Sequence, residues 1–345
     1  MRVQGRTLRS QDKCTILAPM GQGPLIEQES GTPMVKTLLW VGKLAVSIGL
    51  IAWLVQRVDL TAVASHLQQA SIPTLAVAPA LLLVQALISA ERWRQVMNSI
   101  GVALPLGWLI RTNWIGAFIN LLVPGAIGGD AFRAWQTHKR GVALTSAVNG
   151  VMLERIITVL SLTLMVSVML PLLVPDLPGQ WGFRLLAVAG IAGIAVLMVL
   201  DRAPEALLRW RIIRGFAVLA EDTRRLFLSP RRLLPPLAWA FIGNANLAMA
   251  ALALARGLGA EISVFDALVL VPPVILITAL PISISGWGTR ELAMVTALGL
   301  VGVPGDIALT TSILFGLTCL LTGLPGGLFW LLSDEPTPAD GPPAS

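Results

Sequence analysis

Charged residues are scarce in this sequence: they occupy 13% of the 345 positions, whereas a soluble domain of this length usually has about 25%. The few charges are clustered, so long apolar tracts lie between them, and hydrophobic residues reach 55% of the chain. One protein core cannot bury so many tracts of ~20 residues, so lipid must solvate most of them. The composition predicts an all-α, polytopic membrane helical bundle.

Cysteine and histidine are also rare. Cys14 and Cys319 are far apart, which excludes a disulfide framework and a paired metal motif. His66 and His138 are isolated, and the chain contains no HExxH motif, nucleotide-binding loop or recognisable nucleophile–base pair. We therefore expect no cofactor, no metal and no catalytic residue. Tyrosine is absent, so the 11 tryptophans must supply any aromatic belt.

The net charge of +6 is typical of a membrane protein with basic cytoplasmic loops, and we expect no nucleic-acid partner. The N-terminal flank and segments 91–94 and 133–140 are basic, and segment 201–232 holds eight arginines and four acids. Segment 175–183 has no basic residue. The positive-inside rule then places the N-terminus in the cytoplasm. Segment 203–228 is basic and amphipathic, which favours a helix on the cytoplasmic leaflet or a solvated loop.

The apolar tracts define one transmembrane domain over residues 34–333. We expect residues 1–33 to be a disordered tail or an upstream extension from a misassigned start, and residues 334–345 to be a disordered tail. Residues 1–33 lack the pattern of a signal peptide. Most tracts are long enough to cross the bilayer, whereas two are weak or short (106–123 and 292–303). The tracts lie at 38–55, 72–90, 106–123, 144–174, 185–200, 233–255, 264–280, 292–303 and 307–332.

Two tracts end in similar segments, PGAIGGD from Pro124 and PISISGWG from Pro281. Proline removes a backbone donor and glycine permits unusual backbone angles, so both segments predict broken helices. Such backbone is tolerated within a membrane only beside protein or a watery cavity. The basic flanks predict that the first break enters from the cytoplasm and the second from outside. The residues of the breaks are Pro124, Gly125, Gly128, Gly129, Pro281, Gly286 and Gly288.

Aligning the two prolines also aligns Gly129 with Gly286 and brings Arg133 and Arg290 within one position of each other. This match predicts an inverted repeat with two re-entrant helices. Paired broken segments in two halves of a chain indicate the binding site of a transporter. The alternative is a simple kink, or a loop at the membrane interface.

Several charges lie inside or beside apolar tracts, where a charge costs at least ~2.5–3.5 kcal/mol. They should pair or line a polar path, unless those near tract ends snorkel to the interface. Glu154 and Arg155 are adjacent and diverge by about 100° on a helix, so we expect separate partners, with Asp130 and Arg133 as candidates. Arginine suits a phosphate, and so do the helix N-termini expected near Asp130 and Thr289, so an anionic lipid headgroup is the expected partner. Asp130 itself would oppose a phosphate, so we expect it to pair with an arginine or a cationic group.

The run NLLVPGAIGGDAFR, from Asn120 to Arg133, resembles the signature of the lysylphosphatidylglycerol synthase transmembrane family. Glu154-Arg155 and PISISGWGTRE, residues 281–291, fit its later motifs, and Glu91-Arg92-Trp93 also matches. The resemblance covers residues 36–333 and implies a flippase-like domain of a bacterial inner membrane. In bifunctional members a separate synthase domain follows. Because this chain stops at Ser345, we expect no aminoacyltransferase activity and no enzyme.

The resemblance does not transfer a substrate, because stand-alone members are linked with glycosyltransferases and other envelope-lipid enzymes. We expect a protein that moves an amphiphilic lipid between leaflets. The alternatives are a membrane enzyme that modifies lipid and a non-transporting partner of a glycosyltransferase. The oligomeric state is open. The polar lining of the predicted path comprises Arg92, Arg111, Asn120, Asp130, Arg133, Glu154, Arg155, Arg290 and Glu291.

Overall fold

The computed structural model describes residues 71–122, 128–173, 180–202, 211–279 and 286–332. Within these ranges the chain forms ten α-helices and no strand, which confirms the predicted all-α class. A short 3₁₀ turn, Leu200–Arg202, follows the fifth helix. The helices are α1 Ile72–Ser99, α2 Leu106–Leu122, α3 Gly128–Lys139, α4 Leu144–Leu173, α5 Gln180–Val199, α6 Arg211–Phe227, α7 Pro230–Gly257, α8 Val264–Ala279, α9 Thr289–Gly299 and α10 Gly305–Leu331.

Four of these helices (α1, α4, α7 and α10) are long and apolar enough to cross a membrane. At ~1.5 Å per residue each exceeds the ~30 Å hydrocarbon core. They confirm four of the predicted crossings. The fifth helix covers the predicted tract 185–200 and exposes apolar side chains. The predicted crossing at 38–55 and the tails at 1–33 and 334–345 lie outside the described residues.

The ninth helix differs from its predicted tract, 292–303. It begins at Thr289, because the Glu291 carboxylate caps the chain by accepting the Gly288 N–H at 2.5 Å. It ends at Gly299, and Gly302 beyond it has a φ of +79°, which favours glycine and ends regular helix. A tract chosen by hydropathy alone leaves out the polar residues with which such a helix starts.

The helices fall into two sets of four with matching lengths. In the first set, α1 to α4 have 28, 17, 12 and 30 residues. In the second set, α7 to α10 have 28, 16, 11 and 27. The packing also matches: α2 packs on α3 as α8 packs on α9, and α2 contacts α10 as α8 contacts α4. The repeat suggested by two short motifs therefore extends over eight helices.

Equivalent helices run in opposite directions. The Ser71 N–H, just before α1, donates to the carbonyl of Gly257 at the end of α7 (2.9 Å). Farther along, Asn246 of α7 donates to the carbonyl of Leu81 of α1 (2.8 Å). The start of α1 thus lies at the end of α7, and the repeat is inverted.

Inversion places the two helical hairpins at opposite ends of the bundle. The α2–α3 hairpin follows the end of α1, and the α8–α9 hairpin follows the end of α7. This agrees with the expectation that the breaks enter from opposite faces. Residues 123–127 and 280–285, which include Pro124, Gly125 and Pro281, lie outside the described residues.

Glycine allows the first hairpin to close tightly. A Cβ at Gly129 of α3 would overlap the carbonyl of Gly116 on α2, so the two helices approach through their backbones. Asn120 Oδ1 accepts the Gly129 N–H at 2.8 Å, which satisfies a donor at the start of α3. In the second hairpin, Gly286 and Gly288 have φ values of +78° and +85°, which favour glycine.

The sixth helix is amphipathic, as predicted for segment 203–228. One face buries side chains that include Leu219 and Leu226. Asn149 of α4 donates to Asp222 of α6 at 2.7 Å. Arg224 of α6 forms two hydrogen bonds of 2.8 Å with Asp201, which hold the pKa of that carboxyl below its usual value. The helix therefore joins the start of α4 to the end of α5.

Candidate functional site

Glu154 lies on α4 with its side chain only 3% exposed. Its Oε1 atom accepts a hydrogen bond from Arg92 Nε of α1 at 2.8 Å, and Arg92 Nη2 binds the same oxygen. Its Oε2 atom accepts from Arg133 Nη1 of α3 at 3.3 Å. One carboxylate therefore connects two arginines from different helices.

Asp130, in the first turn of α3, extends this chain of charges. Its Oδ1 accepts from Arg133 Nη1 at 3.3 Å, and its Oδ2 accepts from Arg155 Nε at 2.7 Å. The expectation that Asp130 and Arg133 partner the adjacent residues Glu154 and Arg155 is confirmed. We call these residues, together with Arg92, the first network.

The first network carries one positive charge in excess, because three guanidinium groups face two carboxylates. Arg133 is 6% exposed and lies over the ring of Trp93 on α1, with Cζ 4.2 Å from the centroid. Its Nε and Nη2 atoms are buried without a hydrogen-bond partner among the described residues. An unpaired buried donor is costly, so an added anionic oxygen would satisfy both the charge and the donors.

The second half of the chain has a smaller network, formed by Arg290 and Glu291 of α9 and Ser312 of α10. Glu291 Oε1 accepts from Arg290 Nη2 at 2.7 Å, and Arg290 Nε donates to Ser312 Oγ at 3.3 Å. The Arg290 guanidinium lies over the ring of Trp287, 4.8 Å from its centroid. One cation faces one carboxylate in this second network, so its formal charge is balanced.

The snorkelling alternative is wrong for Arg92 and Glu291, because both side chains are buried between helices. Glu91 is also largely buried and accepts from Arg94 at 2.8 Å and from Gln95 at 2.5 Å. These charges are held by protein partners, which is how membrane proteins accommodate ionised groups away from water.

Arg111, another predicted path residue, lies elsewhere. It is exposed and donates to the carbonyls of Phe329 and Leu332 at 3.5 and 3.4 Å. These carbonyls are at the C-terminal end of α10, where a cation is electrostatically favourable. Its described hydrogen bonds therefore place it at one end of the bundle.

Some residues that support the networks were not predicted as site residues. A Cβ at Gly316 of α10 would overlap the Arg290 guanidinium, and a Cβ at Gly243 of α7 would lie 3.4 Å from Arg92 Nη1. Neither glycine belongs to a motif, so no sequence signal marks it. Trp93, which covers Arg133, directly follows the Glu91-Arg92 pair and was detectable only as part of that group.

The folded chain is a polytopic α-helical membrane protein in which an inverted repeat holds two buried networks of charge. Its family can be stated directly. A family model described as the lysylphosphatidylglycerol synthase TM region matches residues 40–326, and the chain belongs to that family. A comparison with curated proteins finds no match.

Proposed function

We propose that this protein moves an amphiphilic lipid with a phosphate-containing headgroup between the leaflets of a membrane. Membership of a membrane-associated, lipid-related family supports the lipid. The phosphate is supported by the excess positive charge of the first network and by two donors of Arg133 that have no hydrogen-bond partner among the described residues. A phosphate oxygen is the partner that a guanidinium fork binds best.

The arrangement of the networks supports movement of one half of the repeat against the other. The ion pairs of the first network lie within α3 or join α3 and α1 to α4, whereas that of the second lies within α9. Between the halves, α1 and α7 meet without an ion pair among the described residues, through contacts such as the hydrogen bond from Asn246 to Gln85 (2.9 Å). Rocking of inverted repeats around a central site is the usual mode of alternating access.

The test is reconstitution of the protein in liposomes with fluorescent lipids whose outer-leaflet label can be quenched. Leaflet exchange is compared between the two networks with two pairs of variants. The pairs are Arg133→Lys with Arg290→Lys, and Asp130→Ala with Arg290→Ala. Leaflet exchange that falls most in Arg133→Lys supports the proposal, because lysine keeps the charge and loses the fork. No exchange with any lipid would contradict transport and favour the scaffold, whereas product formed from a soluble donor would favour a lipid-modifying enzyme.

We place the protein in a bacterial inner membrane with the N-terminus in the cytoplasm. The basic residues Arg94, Arg140, Arg231 and Arg232 support this orientation, because they lie at one end of the bundle. Accessibility reporters at Gly141 and Leu258 test it. They should label from opposite sides of the membrane, and labelling of both from one side would contradict the topology.

A further inference from the structure

A groove of about 490 Å³ lies between α4 and α5. Its walls are apolar along almost the whole length, and among the described residues that line it only Arg155 is charged. The walls include Arg155, Val159 and Thr163 of α4, and Gly190, Gly193 and Leu197 of α5.

The groove has a polar end and an apolar end. Arg155 lies toward the start of α4, near the basic end of the bundle, whereas Thr163 lies opposite Gly190 farther along the two helices. Thr163 is eight residues after Arg155, a rise of ~12 Å along the helix. Half of the ~30 Å hydrocarbon core is ~15 Å, so the groove has the length of an acyl chain in one leaflet.

Arg155 is suited to hold a headgroup at the polar end. Its Nε binds Asp130 Oδ2, while its side chain remains 46% exposed. An exposed guanidinium beside apolar surface within the membrane is costly unless an anion or water meets it. The excess charge of the first network favours an anion, and the fork of an arginine matches two phosphate oxygens.

Two glycines keep the groove open. A Cβ at Gly193 would meet nothing within 4 Å, and one at Gly190 would meet only Thr163 Cγ2 at 3.7 Å. Neither position requires glycine for close helix contact or for a positive φ. Glycine is less favourable than alanine inside a helix, so its presence fits a need for open space.

A second groove, of about 510 Å³, lies between α4, α8 and α9 and provides a comparison. Its lining residues are uncharged, from Leu170 and Leu270 to Thr289 and Thr296. It offers no cation to a headgroup. The charge at Arg155 therefore distinguishes the α4–α5 groove as a site for an anionic lipid.

We infer that the α4–α5 groove holds one acyl chain of an anionic phospholipid whose phosphate lies on Arg155. This inference rests on the proposed function and names its loading site. With the basic end in the cytoplasm, the bound lipid belongs to the cytoplasmic leaflet. Arg155 keeps its Nη donors for the phosphate, because its Nε is the atom that binds Asp130, and the excess positive charge of the first network favours the anion.

The test is photo-crosslinking in nanodiscs, with phosphatidylglycerol that carries a diazirine midway along one acyl chain. Peptide mapping should find the label on α4 near Val159 and on α5 near Gly193. Gly193→Leu fills the groove from one wall, and Val159→Phe fills it from the other. Each should lower the labelling about fivefold, the effect expected from the loss of one or two buried methylene contacts.

Gly107→Leu is the matched control. It introduces the same side chain at an exposed glycine of α2, where a Cβ meets nothing within 4 Å, so labelling should be unchanged. Size-exclusion profiles and thermal unfolding check that each variant is folded. A diacylglycerol probe with the same diazirine lacks phosphate and should label the groove weakly. Arg155→Gln should reduce the phosphatidylglycerol signal to that level.

Equal labelling by the two probes would overturn the role of Arg155, and labelling insensitive to both filling variants would overturn the groove. Crosslinking requires no transport, so the two proposals can fail separately. Groove labelling without leaflet exchange would retain the site and remove the flippase. Leaflet exchange with the label found elsewhere would retain the flippase and contradict the groove as the binding site.

Discussion

The two halves of the repeat use equivalent helices to hold different charges. Arg133 and Arg290 both lie on the short helix of their hairpin, and each stacks on a tryptophan ring. On the following long helix, Arg133 meets the carboxylate of Glu154, whereas Arg290 meets the hydroxyl of Ser312. A symmetric scaffold can therefore carry an asymmetric site, because one half is charge-balanced and the other has one positive charge in excess among its described residues.

The difference follows from where each carboxylate is used. Glu291 accepts the Gly288 N–H as well as Arg290, so it stabilises the start of α9 and neutralises its neighbour. Glu154 is deep in α4, far from a helix end, and binds only arginine side chains among its described partners. A cap is a local structural feature. A carboxylate between three helices fixes their relative positions.

The largest expected effect is on Glu154. Glu154→Gln leaves Arg92 and Arg133 buried without their shared anion, which should lower the free energy of unfolding by about 3–5 kcal/mol. Ser312→Ala, at the corresponding place in the second half, should cost about 1 kcal/mol. Unfolding of the two variants in detergent measures both values. Equal values would show that the halves do not differ as described.

A smaller effect is expected at the glycines that face the arginines. Gly316→Ala puts a methyl group into the Arg290 guanidinium and should destabilise the protein by about 1–3 kcal/mol. Gly243→Ala should cost less, because its nearest contacts, at 3.2 to 3.4 Å, include the flexible end of Gln85. Thermal unfolding of the pair checks the order, and the reverse order would contradict the packing of Arg290.

A kinetic effect should separate the arginines themselves. Arg133→Lys should slow exchange of an anionic lipid about tenfold, since a charge-assisted hydrogen bond is worth about 1.5–3 kcal/mol. Arg290→Lys should slow exchange by less than about threefold, which is half of a tenfold change on a logarithmic scale. The quenching assay in liposomes measures both rates. A larger effect at Arg290 would move the proposed anion site to the second half.

The smallest effect concerns the segment between the halves. The hydrogen bonds from Arg224 lower the pKa of Asp201, so their contribution is present at neutral pH and is lost as the pH falls through that lowered pKa, below the usual ~3.9. The protection factors of the α6 amides, which are corrected for the pH dependence of the intrinsic exchange rate, should therefore fall in acid. Asp201→Asn should show the faster exchange already at neutral pH. Unchanged exchange in both experiments would remove this ion pair as an anchor of α6.

Much of the fold is predictable from the sequence because lipid imposes strong patterns. The helices α4, α8 and α10 begin or end within two residues of their apolar tracts, since a crossing helix must be apolar along its length. The expected partners of Glu154 and Arg155 are also confirmed. Asp130 and Arg133 could be named because few charges in this chain lie close to those residues in an apolar setting.

Other parts of the site depend on contacts that no pattern encodes. Arg92 is 62 residues from Glu154, and no periodicity links the two positions. Gly243 and Gly316 are ordinary helix glycines in the sequence, and only packing shows that they make room for arginines. The helix N-terminus expected near Thr289 is confirmed, whereas the apolar tract starts three residues later because the cap uses polar residues. Capping and close packing depend on contacts between residues in the folded protein, whereas hydropathy is an average along the sequence.

The fifth helix sets the orientation of the second half of the chain. It returns the chain to the end of the bundle where α4 starts, because α6 joins the end of α5 to Asn149. The second half therefore begins at the end of the bundle where α1 ends, and α7 runs in the direction opposite to α1. Without this helix, the second half would start at the end of the bundle where α1 starts, and the two halves would point the same way. The 20-residue helix Gln180–Val199 thus gives the two repeats opposite orientations.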